Sequence, residues 1–325
     1  MSFKEVIGQD SAISLLKAAY RQNRISHAYV FVGLDGTGKK KTALNFAKLL
    51  VCELPEKEEP CDRCSSCLKV NALNHPDIQW VSPEGQFIKI DTIREACRRL
   101  NLVGFESNRK VLIILGAQSL NEESSNALLK TLEEPTAHTV ILLITDTLKS
   151  ILPTIASRCQ RIIFSPLKEE LIQSVLSHQW GTPPEETVYL ARISGGSLGK
   201  ALLYHKEGLF TRKNRMISDI LDKDYPLENF VEMSLRDRSE RSAQIHEVLC
   251  VLSSWFRDLL LAKILKEPKN LINIDRKDDI MRCSGTFSFA EIEQRIQAIA
   301  ETMKDVERNI NMRISLTHLR VELWK

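Results

Sequence analysis

Four of the eight cysteines in this 325-residue chain fall within one short stretch, CELPEKEEPCDRCSSC. They are Cys52, Cys61, Cys64 and Cys67, with the spacing C-x8-C-x2-C-x2-C. Four thiolates at such spacing can surround Zn²⁺ as a tetrahedron, which leaves no open position for water and makes the metal structural. An iron–sulfur centre is the nearest alternative, although no C-P follows the run, and four unrelated thiols are a third. We predict a structural zinc site.

The remaining cysteines are scattered along the chain and are predicted to be packing residues, because an isolated thiol behaves as a small apolar side chain. They are Cys97, Cys159, Cys250 and Cys283.

A glycine-rich stretch, GLDGTGKKKTA, follows the apolar run HAYVFV and leads into a helical pattern. It matches the phosphate-binding pattern G-x-x-x-x-G-K-[ST] except at its last position. There Lys40 replaces the hydroxyl residue that would hold Mg²⁺. The candidate phosphate-binding residues are Gly33, Gly36, Gly38 and Lys39.

The metal-binding half of a nucleotide site departs from the pattern as well. A hydrolysing enzyme of this type needs acidic side chains at the end of a neighbouring strand. The apolar run VLIILG instead ends in Leu115 and Gly116. Backbone amides and Lys39 could still bind an anion, so ATP binding remains open, but turnover is not expected.

Composition points to a protein of ordinary globular type with two or three domains. Apolar residues make up 43% and charged residues 27%, which is usual for a globular protein. The net charge of +3 gives no indication of a broad nucleic-acid-binding surface. The sequence contains no long apolar stretch, and the segment MSFKEVIGQD lacks the apolar core of a signal peptide. We therefore expect a cytoplasmic protein without a membrane segment.

Apolar runs alternate with helical patterns in the first half of the chain, which predicts a parallel sheet covered by helices on both faces. One of these helices, DTIREACRRLNLV, has Asp91 or Thr92 as its expected N-cap. After Pro166 only helical patterns remain, which predicts an α/β domain at 1–166 and two helical domains at 167–207 and 208–325. The candidate strands are HAYVFVG, DIQWVS, FIKI, KVLIILG, TVILLITD and QRIIFSP.

A series of motifs runs along the first part of the chain: VIGQD, RISHAYVFVG, the four-cysteine insert, HPD, IKIDTIREACRRL, NALLKTLEEP and LPTIASRCQRIIF. Together they resemble the delta-prime subunits of bacterial DNA polymerase III clamp loaders, a family within the AAA+ class. The resemblance is strongest over about the first 200 residues, and NALLKTLEEP together with SRC is its most specific part. Beyond that point only GGSLGKAL and NINMRISLTHL carry it.

The resemblance implies an AAA+ RecA-like domain with a zinc-binding insert, a small helical lid domain and a C-terminal helical collar domain for oligomerisation. It implies a place beside ATPase (gamma or tau) and delta subunits in a hetero-pentameric ring, which loads a sliding clamp on primed DNA during replication. The chain would have no ATPase activity of its own, while being part of the polymerase III holoenzyme. Arg158 of the SRC motif would act in trans, as an arginine finger on ATP held by a neighbouring subunit.

Two further positions bear on whether the chain is a motor. Motor subunits of the family carry an arginine after GSL, where this chain has Gly199 and Lys200. Thr145 ends the run VILLIT, where a motor would place a polar sensor of the γ-phosphate, although a threonine that only satisfies the backbone fits equally.

An ATP-hydrolysing gamma or tau subunit with an unusual phosphate loop is the alternative function. A stand-alone zinc-dependent DNA-binding protein would need a basic stripe that is absent from the sequence.

Overall fold

The computed structural model describes residues 2–102, 104–221, 238–265, 268, 270–308 and 312–324. By its internal contacts the chain divides into two compact units. The first comprises Met1–Lys168 with Ser197–Gly199, and the second comprises Glu169–Gly196 with Lys200–Lys325. None of the described helices is both long and apolar enough to cross a membrane.

The first unit contains a sheet of five parallel strands in the order β2-β3-β4-β1-β5. Its strands are β1 (Ala28–Val32), β2 (Ile78–Val81), β3 (Lys110–Ile114), β4 (Thr139–Thr145) and β5 (Gln160–Ile163). Its helices are α1 (Asp10–Arg21), α2 (Lys39–Val51), α3 (Ser65–Asn71), α4 (Ile90–Leu100), α5 (Glu122–Glu133) and α6 (Pro153–Ala156).

The predicted parallel sheet with both faces covered is confirmed. Alternate residues of β4 point into two different cores, because successive side chains of a strand face opposite sides of a sheet. Leu142 packs in the core that contains Phe46 of α2, whereas Leu143 packs in the core that contains Leu128 of α5. Continuous apolar strands such as VILLI are therefore required by burial on both faces.

Two local predictions were wrong. The segment FIKI makes only isolated bridges, because Ile88 is buried beside Leu120 while Phe87 is exposed and Ile90 already starts α4. The N-cap of α4 is Lys89, with extended φ and ψ, and not Asp91 or Thr92. The helix therefore begins where the chain leaves its contact with Leu120, and no capping side chain marks the position.

The second unit is helical within the described residues. A buried ion pair joins Lys213 to Asp275, and the Lys213 ammonium lies 4.3 Å from the ring centre of Tyr189. Its helices are α7 (Glu169–Trp180), α8 (Pro184–Ile193), α9 (Leu198–Lys206, which starts in the first unit), α10 (Leu209–Leu221), α11 (Arg238–Ile264), α12 (Lys277–Ser284), α13 (Phe289–Glu307) and α14 (Met312–Trp324).

Parts of the sequence predictions concern residues outside the described ranges. Residues 222–237 of the expected third domain and residues 309–311 at the start of NINMRISLTHL lie outside them. The division of the helical part at 207 and 208 remains a prediction.

The HPD motif explains how the loop between α4 and β3 is held. The buried Asp77 carboxylate accepts hydrogen bonds from the backbone N–H groups of Phe105 (2.8 Å), Glu106 (2.9 Å) and Ser107 (2.9 Å), and from the Ser107 hydroxyl (3.1 Å). Burial by itself would raise the pKa of Asp77, but these donors outweigh it and lower the pKa. The ionised carboxylate thus stabilises the loop.

We expect Asp77→Ala to lower the free energy of unfolding by about 2–4 kcal/mol at pH 7, because three backbone donors lose their acceptor. A lowered folded-state pKa gives stability that is present above the unfolded value of about 3.9 and is lost as the pH falls below it. The difference between variant and parent should therefore shrink below about pH 4. Urea titrations at pH 7 and below about pH 4 measure the free energy of unfolding, and Ser107→Ala is the milder control. A loss of stability under about 1 kcal/mol for Asp77→Ala at pH 7 would contradict this role.

Candidate functional site

The glycine loop lies at the carboxyl edge of the sheet, where β1 gives way to α2. Gly33 follows β1, and a Cβ at this position would lie 2.2 Å from the carbonyl oxygen of Phe164. Gly36 has φ +75°, which side chains rarely adopt. Gly38 is the N-cap of α2, so the loop ends directly at a helix N-terminus. A glycine loop that ends at a helix N-terminus is the kind of backbone arrangement that can bind an anion.

The side chain of Lys39 is buried, with 4% of its surface exposed. Its ammonium donates to the carbonyl oxygens of Gly33 and Leu34, the latter at 2.8 Å. It also pairs with the Asp146 carboxylate at 3.0 Å. All three hydrogens of the ammonium thus have acceptors, and the cation that would reach a phosphate is neutralised by the protein itself.

The segment Ser197–Gly199 packs against the glycine loop within the first unit. The Ser197 hydroxyl donates to the carbonyl oxygen of Asp35 at 2.6 Å, and the Gly199 N–H donates to the carbonyl oxygen of Gly36 at 2.9 Å. A Cβ on Gly199 would lie 2.7 Å from the Cα of Gly36, so the two backbones touch. These contacts close one side of the loop.

Leu115 and Gly116 stand where a hydrolysing enzyme would have acidic metal ligands, and Thr145 stands where it would have a phosphate sensor. Leu115 packs against the core and Gly116 caps a short 3₁₀ helix, so neither offers a metal-binding oxygen from a side chain. The Thr145 hydroxyl bonds to the carbonyl oxygen of Thr147 (3.1 Å) and to the Ser150 hydroxyl (3.0 Å). Thr145 therefore satisfies nearby groups, the simpler of its two interpretations. Lys200 is exposed.

Sequence reasoning missed Asp146. This carboxylate lies directly after β4 and also accepts a hydrogen bond from the Gln118 side chain at 3.4 Å. The signal was present, since TVILLITD ends in an acid at the edge of the sheet where the loop falls. It pairs with Lys39 across 107 positions of sequence, a relation that no local pattern contains.

The four cysteines of the insert converge. Their four Sγ atoms all lie within 4.8 Å of one another, and the Cys52–Cys64 and Cys61–Cys67 pairs are 4.0 and 3.9 Å apart. A tetrahedral zinc with bonds of about 2.3 Å needs sulfur atoms about 3.8 Å apart. The four thiols are thus compatible with a structural zinc ion.

Backbone N–H groups point at these sulfurs, which is the arrangement that stabilises thiolates. The N–H of Cys61 donates to the sulfur of Cys52, that of Cys64 to Cys61, and that of Cys67 to Cys64, each at 3.4 Å. Burial would raise the pKa of Cys61, but backbone and side-chain donors lower it to about 6, whereas burial raises the pKa values of Cys52 and Cys67. Cys64 also serves as the N-cap of α3, so the turn and the helix start are built from the same residue.

A buried lysine joins the cysteine insert to α2. Lys48 is fully buried, and its ammonium pairs with Asp62 and donates to the Asn71 side chain at 3.0 Å. Asp62 stands between Cys61 and Cys64, and Asn71 ends α3. Since Cys52 is the C-cap of α2, the insert is fastened to the same helix that begins at Lys39.

Arg158 lies between α6 and β5, and 37% of its side chain is exposed. Its Nη2 pairs with Glu133 Oε1 at 2.8 Å, and its Nη1 donates to the carbonyl oxygen of Thr154 at 2.9 Å. Its neighbours in the motif have separate tasks: Ser157 donates to the same Thr154 oxygen at 3.0 Å, and Cys159 is buried in the core.

Arg158 and the glycine loop lie at opposite edges of the sheet. β5 runs parallel to β1, with Tyr29 opposite Gln160 and Val32 opposite Ile163. Gly33 follows the end of β1, whereas Arg158 precedes the start of β5, so the strand length of about 10 Å at 3.3 Å per residue separates the two ends. The backbone of Arg158 therefore lies about one strand length away from the glycine loop of its own chain.

Comparisons with known proteins agree with this architecture. A family model described as DNA polymerase III, delta subunit, matches residues 8–168. The DNA polymerase III subunit delta' of Bacillus subtilis (strain 168) is 31% identical over 324 residues, which cover 96% of this chain and 94% of that protein. Subunit tau of the same organism is 35% identical, but over 170 residues that cover only 52% of this chain and 30% of tau.

The fold has a counterpart among solved structures. The crystal structure of a DNA polymerase III, gamma subunit-related protein from Thermotoga maritima superposes with a TM-score of 0.50, 18% identity, and coverage of 96% of this chain and 98% of that one. The five-stranded parallel sheet with a glycine loop after β1 agrees with the fold predicted for the first unit. The chain belongs to the family of DNA polymerase III delta-prime subunits.

Proposed function

We propose that this chain is the non-hydrolysing delta-prime subunit of a DNA polymerase III clamp loader. It braces a hetero-pentameric ring with ATPase (gamma or tau) and delta subunits, and the ring loads a sliding clamp on primed DNA. The helices of the second unit contribute the lid (167–207) and the collar (208–325) of that ring. Family membership supports the place in the loader, and the state of the glycine loop supports the absence of turnover.

The observation that carries the proposal is the internal neutralisation of Lys39. A triphosphate would have to displace Asp146 and two loop carbonyl oxygens from the ammonium. It would gain no hydroxyl ligand for Mg²⁺ at Lys40 and no acidic pair at Leu115 and Gly116. Each loss alone weakens a nucleotide site, and together they remove the groups on which hydrolysis depends.

We expect the purified chain to show no ATP turnover above background and no saturable Mg-ATP binding in the micromolar range. Lys39→Ala should change neither result, because the parent loop already lacks a free cation for the phosphates. A coupled ATPase assay and equilibrium titration with a fluorescent ATP analogue measure these quantities. Steady turnover that Lys39→Ala abolishes would instead favour the gamma or tau alternative.

The trans role of Arg158 is supported by the geometry of β5. The guanidinium is partly exposed, and Arg158 lies at the end of β5 opposite the glycine loop, so it is accessible to a partner and distant from the loop of its own chain. A guanidinium is always charged and presents a planar fork of N–H donors suited to phosphate oxygens. In a ring, such a residue stabilises the charge that develops on the transferring phosphate of the next subunit.

Arg158→Ala should lower the kcat of the assembled loader for ATP, with clamp and primed DNA present, on the order of tenfold or more, with a smaller change in KM. Arg161→Ala is the matched control, since Arg161 is an exposed arginine of β5, three positions after Arg158. Size-exclusion chromatography confirms that the ring still assembles. An Arg158→Ala loader with parental turnover would remove the finger from the proposal.

We further propose that the four-cysteine insert holds a structural zinc ion through Cys52, Cys61, Cys64 and Cys67. The sulfur separations and the backbone donors support this assignment. When bound, Zn²⁺ would fasten the insert without an open position for chemistry.

The protein purified under reducing conditions should contain about one zinc per chain and no iron. Cys61→Ser should lose the metal and lower the midpoint of thermal unfolding, because the insert then lacks its cross-link. Cys283→Ser, outside the cluster, should retain the metal. Elemental analysis and thermal scans measure both properties; iron with visible absorbance would support the iron–sulfur alternative.

A further inference from the structure

The two most specific motifs of the chain meet at one ion pair. NALLKTLEEP supplies Glu133 at the last residue of α5, and SRC supplies Arg158 before β5. Their side chains are joined at 2.8 Å between Oε1 and Nη2. Residues 25 positions apart thus form a single unit at the edge of the sheet that faces away from the glycine loop.

We infer that Glu133 is a positioning residue that orients the guanidinium of Arg158 for a phosphate on the neighbouring subunit. This inference rests on the proposed function of Arg158 as a finger that acts in trans. Glu133 itself would touch neither nucleotide nor metal. It acts only through the arginine.

The guanidinium is held at two points from two different segments. Glu133 of α5 holds Nη2, and the carbonyl oxygen of Thr154 in α6 holds Nη1 at 2.9 Å. Two such contacts fix the plane of the fork as well as its position. Without Glu133 only the Thr154 contact remains, and the plane can rotate about it.

The contacts of Arg158 with Glu133 and Thr154 leave N–H donors of the guanidinium for a second anion. A guanidinium has five N–H groups. The Thr154 oxygen accepts one hydrogen of Nη1, and the Glu133 carboxylate lies beside Nη2 as an ion pair. Nε and the other hydrogen of each terminal nitrogen have no partner within the described part of the chain. The arginine can therefore keep Glu133 and still present donors to phosphate oxygens.

The stability of α5 does not explain the ion pair between Glu133 and Arg158. A carboxylate in the last turn of a helix is disfavoured by the partial negative charge at that end. The pair is also half-exposed, and ion pairs of this kind contribute little to folding. A weak ion pair can still orient the guanidinium, because it restricts the motion of that group.

The next carboxylate along the chain offers a matched control. Glu134 is exposed, and its side chain has no ion pair within the described residues, although it shares the motif and the helix end. Glu133→Ala and Glu134→Ala therefore remove the same charge one position apart. Only the first removes the contact with Arg158.

The test is the steady-state ATPase of the reconstituted loader with clamp and primed DNA. We expect Glu133→Ala to lower kcat roughly three- to tenfold with KM for ATP nearly unchanged, because the lost orientation acts on the transition state. Glu134→Ala should match the parent. Glu133→Gln should recover part of the loss, since its amide oxygen can take the place of the carboxylate oxygen beside Nη2 without the charge.

The double variant Glu133→Ala with Arg158→Ala separates positioning from a general structural role. We expect it to equal Arg158→Ala alone, because Glu133 has nothing left to orient. A further fall in the double variant, or parental kcat in Glu133→Ala while Arg158→Ala is impaired, would overturn the inference alone. Parental activity of Arg158→Ala would instead overturn the proposed finger on which it rests.

Discussion

The parallel pairing of β1 with β4 on one side and β5 on the other is the constraint that organises the first unit. Because all strands run the same way, everything that follows a strand lies at one edge and everything that precedes a strand lies at the other. Gly33 and Asp146 follow strands and meet. Arg158 precedes β5 and lies at the opposite edge. The glycine loop and the proposed arginine finger are thereby kept apart within one chain, as a role of Arg158 on a neighbouring subunit would require.

At the loop edge, a buried cation determines the arrangement. An ammonium removed from water is stable only when its charge and its hydrogens are matched. Lys39 is matched by Asp146 and by carbonyl oxygens of its own loop, so no phosphate is needed for this purpose. The contact of Ser197–Gly199 with the loop acts in the same direction, since it fills space next to Gly36. The Lys39 ammonium and the backbone around Gly36 are thus already engaged by groups of the first unit itself.

Helix α2 connects two regions of different chemistry. Its first residue is Lys39, and its C-cap is Cys52 of the four-cysteine insert. Lys48 connects the body of the helix to the insert through its contacts with Asp62 and Asn71. Asp62 lies between two of the cysteines, and Asn71 is the last residue of α3. The insert is therefore a brace on the helix that carries the glycine loop, and a metal at the four sulfurs would strengthen that brace.

The sequence by itself determined the strands that are apolar on both faces, the helices between them, the four-cysteine cluster and the family motifs. These follow from local periodicity, spacing and residue type, which one stretch of chain contains completely. It failed at FIKI and at the start of α4, where one buried residue, Ile88, depends on a distant partner, Leu120. Only the tertiary structure decided that Asp146 neutralises Lys39 and that Glu133 holds Arg158. Such pairs join residues far apart in sequence, and the packing of the sheet and its helices, not any local pattern, brings their charges together.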